Sequence, residues 1–131
     1  MYGFTVHKRD TGAVEPFEYL EAAAGTYTPG QLLKVDAGKL AAIGEASTVT
    51  PAYVCMADKV VTAGDPVLAV NRVRKDVIYE TSLSAAATNA DVGVKLQIAA
   101  GGKQAVTGAG TFEIVSLDGT DAGDMVRGRF V

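Results

Sequence analysis

The most constraining feature of this 131-residue chain is a glycine that recurs at the entrance to short alternating segments. Gly30 leads to Leu33 and Val35, Gly64 to Val67 and Ala69, Gly93 to Leu96 and Ile98, and Gly123 to Val126 and Gly128, at intervals of 34, 29 and 30 residues. Glycine tolerates the positive φ that tight turns require. The spacing of two that follows each glycine places alternate side chains on one face of a strand. A chain patterned this way is restricted to turn-then-strand units, and helices have little room in it.

The rest of the chain extends that reading. Residues 1–8 alternate well enough for a first strand or an extended arm. Phe17–Ala24 carries no clean period, so its content of Glu, Leu and Ala leaves helix and strand both open. Leu32–Val35 and Lys39–Ile43 flank Asp36-Ala37-Gly38, a hairpin signal. Thr48–Ala57 reads as a strand entered at Pro51. Pro66 opens Val67–Val73, at a strand start where a missing N–H is tolerated. Val77–Thr81 follows a turn at Lys75-Asp76. Ser82–Asp91 fits either a short helix or a surface loop. Val94–Ile98 with Lys103–Val106, and Thr111–Leu117 with Met125–Val131, make two more hairpins. The sum is about ten short strands at roughly ten-residue spacing, the pattern of an all-β, single-domain barrel or sandwich with little helix. Residues 1–16 form an arm or first strand, and 17–131 the β domain.

Composition narrows the function classes. With 48% apolar and 21% charged residues the chain is that of a packed globular protein. A net charge of −3 argues against non-specific nucleic-acid binding, which needs clustered positive charge. No apolar stretch approaches the ~20 residues of a transmembrane helix, and no secretion signal opens the chain, so synthesis in a cytoplasm is expected. The single cysteine, Cys55, lies in an apolar run and reads as a buried thiol.

Searching for chemistry yields little. His7 is the sole histidine, and no ligand or triad spacing surrounds it. Gly102-Lys103 lacks the other residues of a phosphate loop. Asp118, Asp121 and Asp124 recur every third residue in a glycine-containing turn. That offers oxygen ligands for calcium, but plain β-turns favour the same residues, and the full calcium loop is missing. The expectation is a chain with no catalytic residues, no cofactor and no metal. Four arginines stand out: Arg72 with Arg74, and Arg127 with Arg129, each pair placed on one sheet face by the period of two. They read either as a solvated face or as a contact for an acidic partner surface.

Taken in order, several segments have a familiar sequence. Phe17-Glu18-Tyr19-Leu20 leads to Thr28-Pro29-Gly30-Gln31-Leu32-Leu33, and Pro51-Ala52-Tyr53-Val54-Cys55-Met56-Ala57 to Ala63-Gly64-Asp65-Pro66-Val67. Asp76-Val77-Ile78-Tyr79-Glu80-Thr81 precedes Val92-Gly93-Val94-Lys95-Leu96. Gly110-Thr111-Phe112-Glu113-Ile114-Val115 precedes Gly123-Asp124-Met125-Val126-Arg127-Gly128-Arg129-Phe130. This order, over residues 17–131, resembles the small capsid-decoration or head-fibre virion proteins of tailed bacteriophages and prophages. The resemblance implies a β-rich, non-enzymatic structural protein, often trimeric, that binds the major capsid protein on the outer shell. It implies no nucleic-acid or membrane partner, and a place on the virion after synthesis in the host cytoplasm.

The matched region excludes residues 1–16, so the mode of attachment is read from the residues alone. Tyr2 and Phe4 are aromatic anchors of the kind interfaces use, or else pack as a first strand. On the first reading, removing residues 1–5 abolishes capsid binding without unfolding the protein. The reading from a different class is a non-catalytic β module for a carbohydrate or receptor, although the chain lacks the tryptophan that sugar platforms favour.

Overall fold

The computed structural model describes residues 3–10, 16–44, 48–99 and 101–131. Tyr2 lies outside the described residues. Among those described the protein is all-β. Its thirteen strands are β1 (Thr5–Arg9), β2 (Glu18–Glu21), β3 (Gly25–Tyr27), β4 (Leu32–Asp36), β5 (Lys39–Ala42), β6 (Tyr53–Cys55), β7 (Lys59–Val61), β8 (Val67–Arg72), β9 (Val77–Ser82), β10 (Lys95–Ala99), β11 (Gln104–Val106), β12 (Phe112–Leu117) and β13 (Met125–Phe130). One turn of 3-10 helix, Asn89–Asp91, sits in the stretch that the sequence leaves open. All strand pairs are antiparallel.

The strand order reveals an internal duplication. One sheet runs β2-β8-β6-β4-β5, and the other runs β9-β13-β12-β10-β11 with β1 added outside β9. In chain order, both have their first strand beside their last, then the fourth, second and third. Each folds back on itself in the same way. A parallel bridge joins Ala22 to Leu40 in the first unit and Leu83 to Ala105 in the second. The backbone hydrogen bonds from Ala23 N to Leu40 O and from Ser84 N to Ala105 O match as well, at 2.8 and 2.9 Å. The registers agree residue by residue: Leu33 faces Tyr53 as Leu96 faces Phe112, Cys55 faces Val70 as Ile114 faces Gly128, and Tyr53 faces Arg72 as Phe112 faces Phe130. The recurring glycines are therefore two copies of a pair. Gly30 and Gly93 open the second strand of their units, and Gly64 and Gly123 precede the last.

This duplication explains where the face assignment from sequence fails. Leu33, Leu96, Ile98 and Val126 are buried as the period predicts. Val67 is exposed, and the buried residues of β8 are Leu68 and Val70. Gly64 lies at the centre of a tight turn closed by Thr62 and Asp65, which exchange backbone hydrogen bonds of 3.4 and 3.1 Å. The strand interior then starts four residues after Gly64, but three after the other glycines, and a shift of one inverts the faces. Val35 is exposed as well, at the outer end of its hairpin.

Each unit has its own interior. Leu33, Leu40, Tyr53, Cys55, Leu68 and Val70 fill the first, joined by Tyr27 and Val61 from the extra β3–β7 pair. These two three-residue strands are too short to show in the sequence. Leu96, Ile98, Ala105, Phe112, Ile114, Val126 and Phe130 fill the second. Leu32, Ile43 and Val54 point the other way from the first unit and belong to the second unit's cluster. The outer wall of the first unit thus seals the second, and β6 is buried on both faces.

Phe4 completes that seal. Its ring stands edge-on to Phe112 at 5.2 Å between centroids and tilts against Phe130 at 5.7 Å. The backbone follows, since Phe4 N donates to Gly30 O at 2.8 Å. Phe4 is 2% exposed, so it is a core residue and not a surface anchor. The expectation that residues 1–5 are dispensable for folding falls with it. Residues 5–9 form a strand on β9, with a bulge between Val6 and Lys8.

Candidate interaction surface

The duplication shows which parts of the surface are unlike their counterparts. At three corresponding positions the second unit has Tyr79, Phe112 and Phe130, covered by Phe4, and the first has Glu18, Tyr53 and Arg72. Arg72 lies over the Tyr53 ring at 5.2 Å from its centroid and donates two hydrogen bonds to the Glu18 carboxylate, at 3.0 and 3.3 Å. The Glu18 hydrogen bonds, with Tyr53 adding to them, hold the Arg72 guanidinium above its ordinary pKa. This end of the first unit is finished with a solvated ion pair, which contributes little to stability.

The other arginines are also satisfied within the chain. Arg127 donates to Glu80 at 2.8 Å and to both Asp118 oxygens at 2.8 and 3.2 Å. Arg129 donates to Asp10 at 3.0 Å. Both lie on the outer face of β13, as the period of two requires. Arg72 and Arg74 do not share a sheet face, because β8 ends at Arg72. Arg74 instead makes a two-pronged pair with Asp76, at 2.9 and 3.2 Å, and holds that carboxyl below the usual range. All four guanidiniums are partners of this chain's own carboxylates. His7 lies 3.6 Å from Glu80 on the same outer face.

The aspartate turn is likewise self-contained. Asp118 serves Arg127, and the Asp124 carboxylate accepts the Asp121 N–H at 3.0 Å across the turn. Among the described residues, no group of three His, Cys, Asp or Glu side chains is placed to hold a metal ion. Cys55 is buried, its Sγ donating to Ala57 O at 3.1 Å, and burial pushes the thiol pKa up. The thiolate is disfavoured in the fold, so any stability this residue confers is present below its ordinary pKa and lost as pH rises through the raised value. Cys55 is expected to resist a soluble thiol reagent at pH 8 in the native protein and to react stoichiometrically in guanidinium; native-state reaction at the unfolded rate would refute this.

An apolar surface remains, on the outer wall of the first unit. Strand partners directly opposite share a face. Leu32, Val54 and Asn71 therefore lie on one side, and farther along it come Ala69 and its partner Tyr19. The second unit covers Leu32 and Val54 but stops short of Tyr19, which is 68% exposed. Met56, held by Met56 N donating to Ala69 O at 2.9 Å, continues the same row, with Phe17 and Val67 beside it. All four of Phe17, Tyr19, Met56 and Val67 are exposed.

This shelf runs into a cleft of about 510 Å³ between β1 and the wall formed by β6 and β8. Thr5, Val6 and Arg9 line one side, and Met56, Asn71 and Arg72 the other. Asn71 Oδ1 is buried there and receives no hydrogen bond. Nothing local in the sequence marks this site, because it depends on elements more than 40 positions apart meeting across a gap. No known family, curated protein or solved structure matches this chain. The surface is thus to be read from its own chemistry. It offers contiguous apolar area.

Proposed function

We propose that this chain is a structural virion protein, one that decorates or stabilises the outer capsid surface of a tailed phage or prophage and self-associates as a trimer. The observation that carries the reading is the apolar shelf of Phe17, Tyr19, Met56 and Val67 on a body whose arginines are otherwise paired internally. Contiguous exposed apolar area next to a cleft is characteristic of an interaction site. The ordered resemblance of residues 17–131 to decoration proteins supplies the partner, the major capsid protein. A rigid β body held in many copies gains avidity from modest contacts, which suits attachment to a symmetric shell. Attachment is assigned to the shelf and not to Phe4, which is buried.

The test combines solution mass by light scattering with co-sedimentation on undecorated tailed-phage shells. A mass near that of three chains and saturable binding are expected. Tyr19→Lys should weaken shell binding at least tenfold while changing stability by only about 0.5 kcal/mol, as exposed substitutions do. A monomer that fails to bind shells would overturn the reading.

A further inference from the structure

We propose that the open edge of β2 is a site of strand addition, and that its occupant is an extended segment of a partner protein in which apolar and polar residues alternate. This deepens the reading above and rests on it only for the partner's identity. Neighbouring strands fix the backbone directions along β2. Met56 N donates to Ala69 O, so the Ala69 carbonyl points toward β6 and away from β2. Tyr19, opposite Ala69, is therefore in a wide pair of the antiparallel ladder, and its own N–H and C=O point away from β8. Ala22 N donates to Pro66 O, which gives the same alternation. Phe17 and Tyr19 thus turn their backbone groups outward, and among the described residues no strand pairs with them there.

The second unit shows what such an edge takes. The matched parallel bridges put Ala22 in the place of Leu83, so Phe17 and Tyr19 correspond to Ile78 and Glu80. Those two residues face β1, as the hydrogen bond from Asp10 N to Asp76 O at 2.9 Å requires. β1 covers them as an antiparallel strand, with Thr5 opposite Glu80 and Lys8 opposite Ile78. The first unit has the same edge without the strand. Among the described residues all thirteen strands are already placed in the three sheets, so neither this chain nor a second copy has one to spare. An uncovered edge is a template for pairing with another polypeptide. Its surroundings define the occupant. The bridge from Ala22 to Leu40 brings β5 alongside and closes the edge beyond Leu20, so the open stretch matches the four residue pairs that β1 makes. Residues opposite one another share a face, so occupant side chains opposite Phe17 and Tyr19 lie on the exposed apolar shelf. The side chain between them lies on the face of the solvated Glu18–Arg72 pair, where a polar residue fits.

The full chain, 15N-labelled, is titrated with acetyl-Lys-Val-Thr-Ile-Thr-Val-Lys-amide and followed by amide chemical shifts and hydrogen exchange. Saturable shifts centred on Phe17, Glu18 and Tyr19 are expected, and exchange of the Tyr19 amide should slow at least tenfold. The amides of Glu18 and Leu20 already face β8 and should keep their exchange rates. Two N-methylated peptides separate strand addition from plain apolar contact. An occupant residue opposite Tyr19 turns its side chain to the shelf and its N–H to β2. Methylating the Val and Ile nitrogens should therefore weaken binding at least tenfold, whereas methylating the Thr nitrogens, which point away from β2, should change it by less than about threefold. Tyr19→Pro removes an edge N–H that the β8 ladder does not use, the position at which a strand tolerates proline. It should bind at least tenfold more weakly than Tyr19→Thr, which keeps that N–H. No saturable shifts, shifts on another face, or equal affinity for the two methylated peptides would each overturn the proposal. So would protection of the Tyr19 amide that rises with protein concentration in the absence of peptide, which would assign the edge to a second copy. Peptide binding without shell binding would keep the edge site and reject the virion assignment; shell binding without peptide binding would do the reverse.

Discussion

Replacing Phe4 by alanine is expected to destabilise the protein by about 3–5 kcal/mol, the range for deleting a fully buried aromatic ring. That is a large fraction of the ~5–15 kcal/mol by which domains of this kind are stable. The ring closes a cluster in which Phe112 and Phe130 lie 5.0 Å apart and Tyr79 and Phe130 lie 5.5 Å apart. Its removal leaves a void bounded by strands of both units, and such a void collapses poorly because neither sheet can move alone. The neighbouring Val6 provides the control. It is 37% exposed, so Val6→Ala should cost well under 1 kcal/mol. Urea denaturation of both variants checks the claim. A Phe4→Ala midpoint equal to that of Val6→Ala would show that the ring does not seal the core. The result also bears on function, since loss of shell binding after N-terminal truncation would reflect lost folding.

How much of this was legible in the sequence follows from how local each signal is. Hairpins closed by Asp36-Ala37-Gly38 or by Gly101 and Gly102 depend on adjacent residues, and the strands that flank them form as expected. Ala37 at φ 50° and Gly38 at φ 81° supply the mirror-image turn that suits a twisted hairpin. Phe17–Ala24, which had no clean period, becomes a strand because β8 pairs with it from nearly 50 residues away. The tertiary partner overrides local propensity there. Faces were readable only where one sheet has one buried side. At Val54 both sides are buried, and at Phe4 a residue near a polar-looking terminus is claimed by two units at once.

The candidate site was less legible still. Arginine spacing suggested an exposed charged face, but the carboxylates that pair with those arginines come from β2, β9 and distant turns. Asp10 and Arg129 are at nearly opposite ends of the chain. The shelf gave a weak signal in Phe17 and Tyr19, two aromatics spaced by two at the entrance to β2. Their exposure depends on where the second unit ends, which no local pattern records. The duplication itself was half visible. The glycine recurrence was correct, but its true period spans a pair of strand-opening turns, because each unit closes only when its third strand returns to its first.

The duplication allows a test in which one substitution is made at two corresponding sites. Gly30→Ala should be destabilising by about 3 kcal/mol or more, and Gly93→Ala by only about 1–2 kcal/mol. The backbone is the same at both: φ is 86° at Gly30 and 85° at Gly93, the left-handed region that a Cβ disfavours. That strain is shared, and it accounts for the smaller figure. The surroundings differ. A Cβ at Gly93 would meet nothing within 4 Å, whereas at Gly30 it would come within 2.9 Å of Gly3 Cα and 3.0 Å of Phe4 N. Those are backbone atoms, so relief requires shifting the segment that carries Phe4 and its hydrogen bond to Gly30 O. The additional cost is that of overpacking, about 1–3 kcal/mol. Equal destabilisation of the two variants, measured by urea midpoint at constant m, would mean that the N-terminal segment yields freely and does not lock the second unit shut. A clear excess at Gly30 would show that the first unit's opening turn and Phe4 act as one closure, the feature by which two similar units become a single body with one exposed apolar wall.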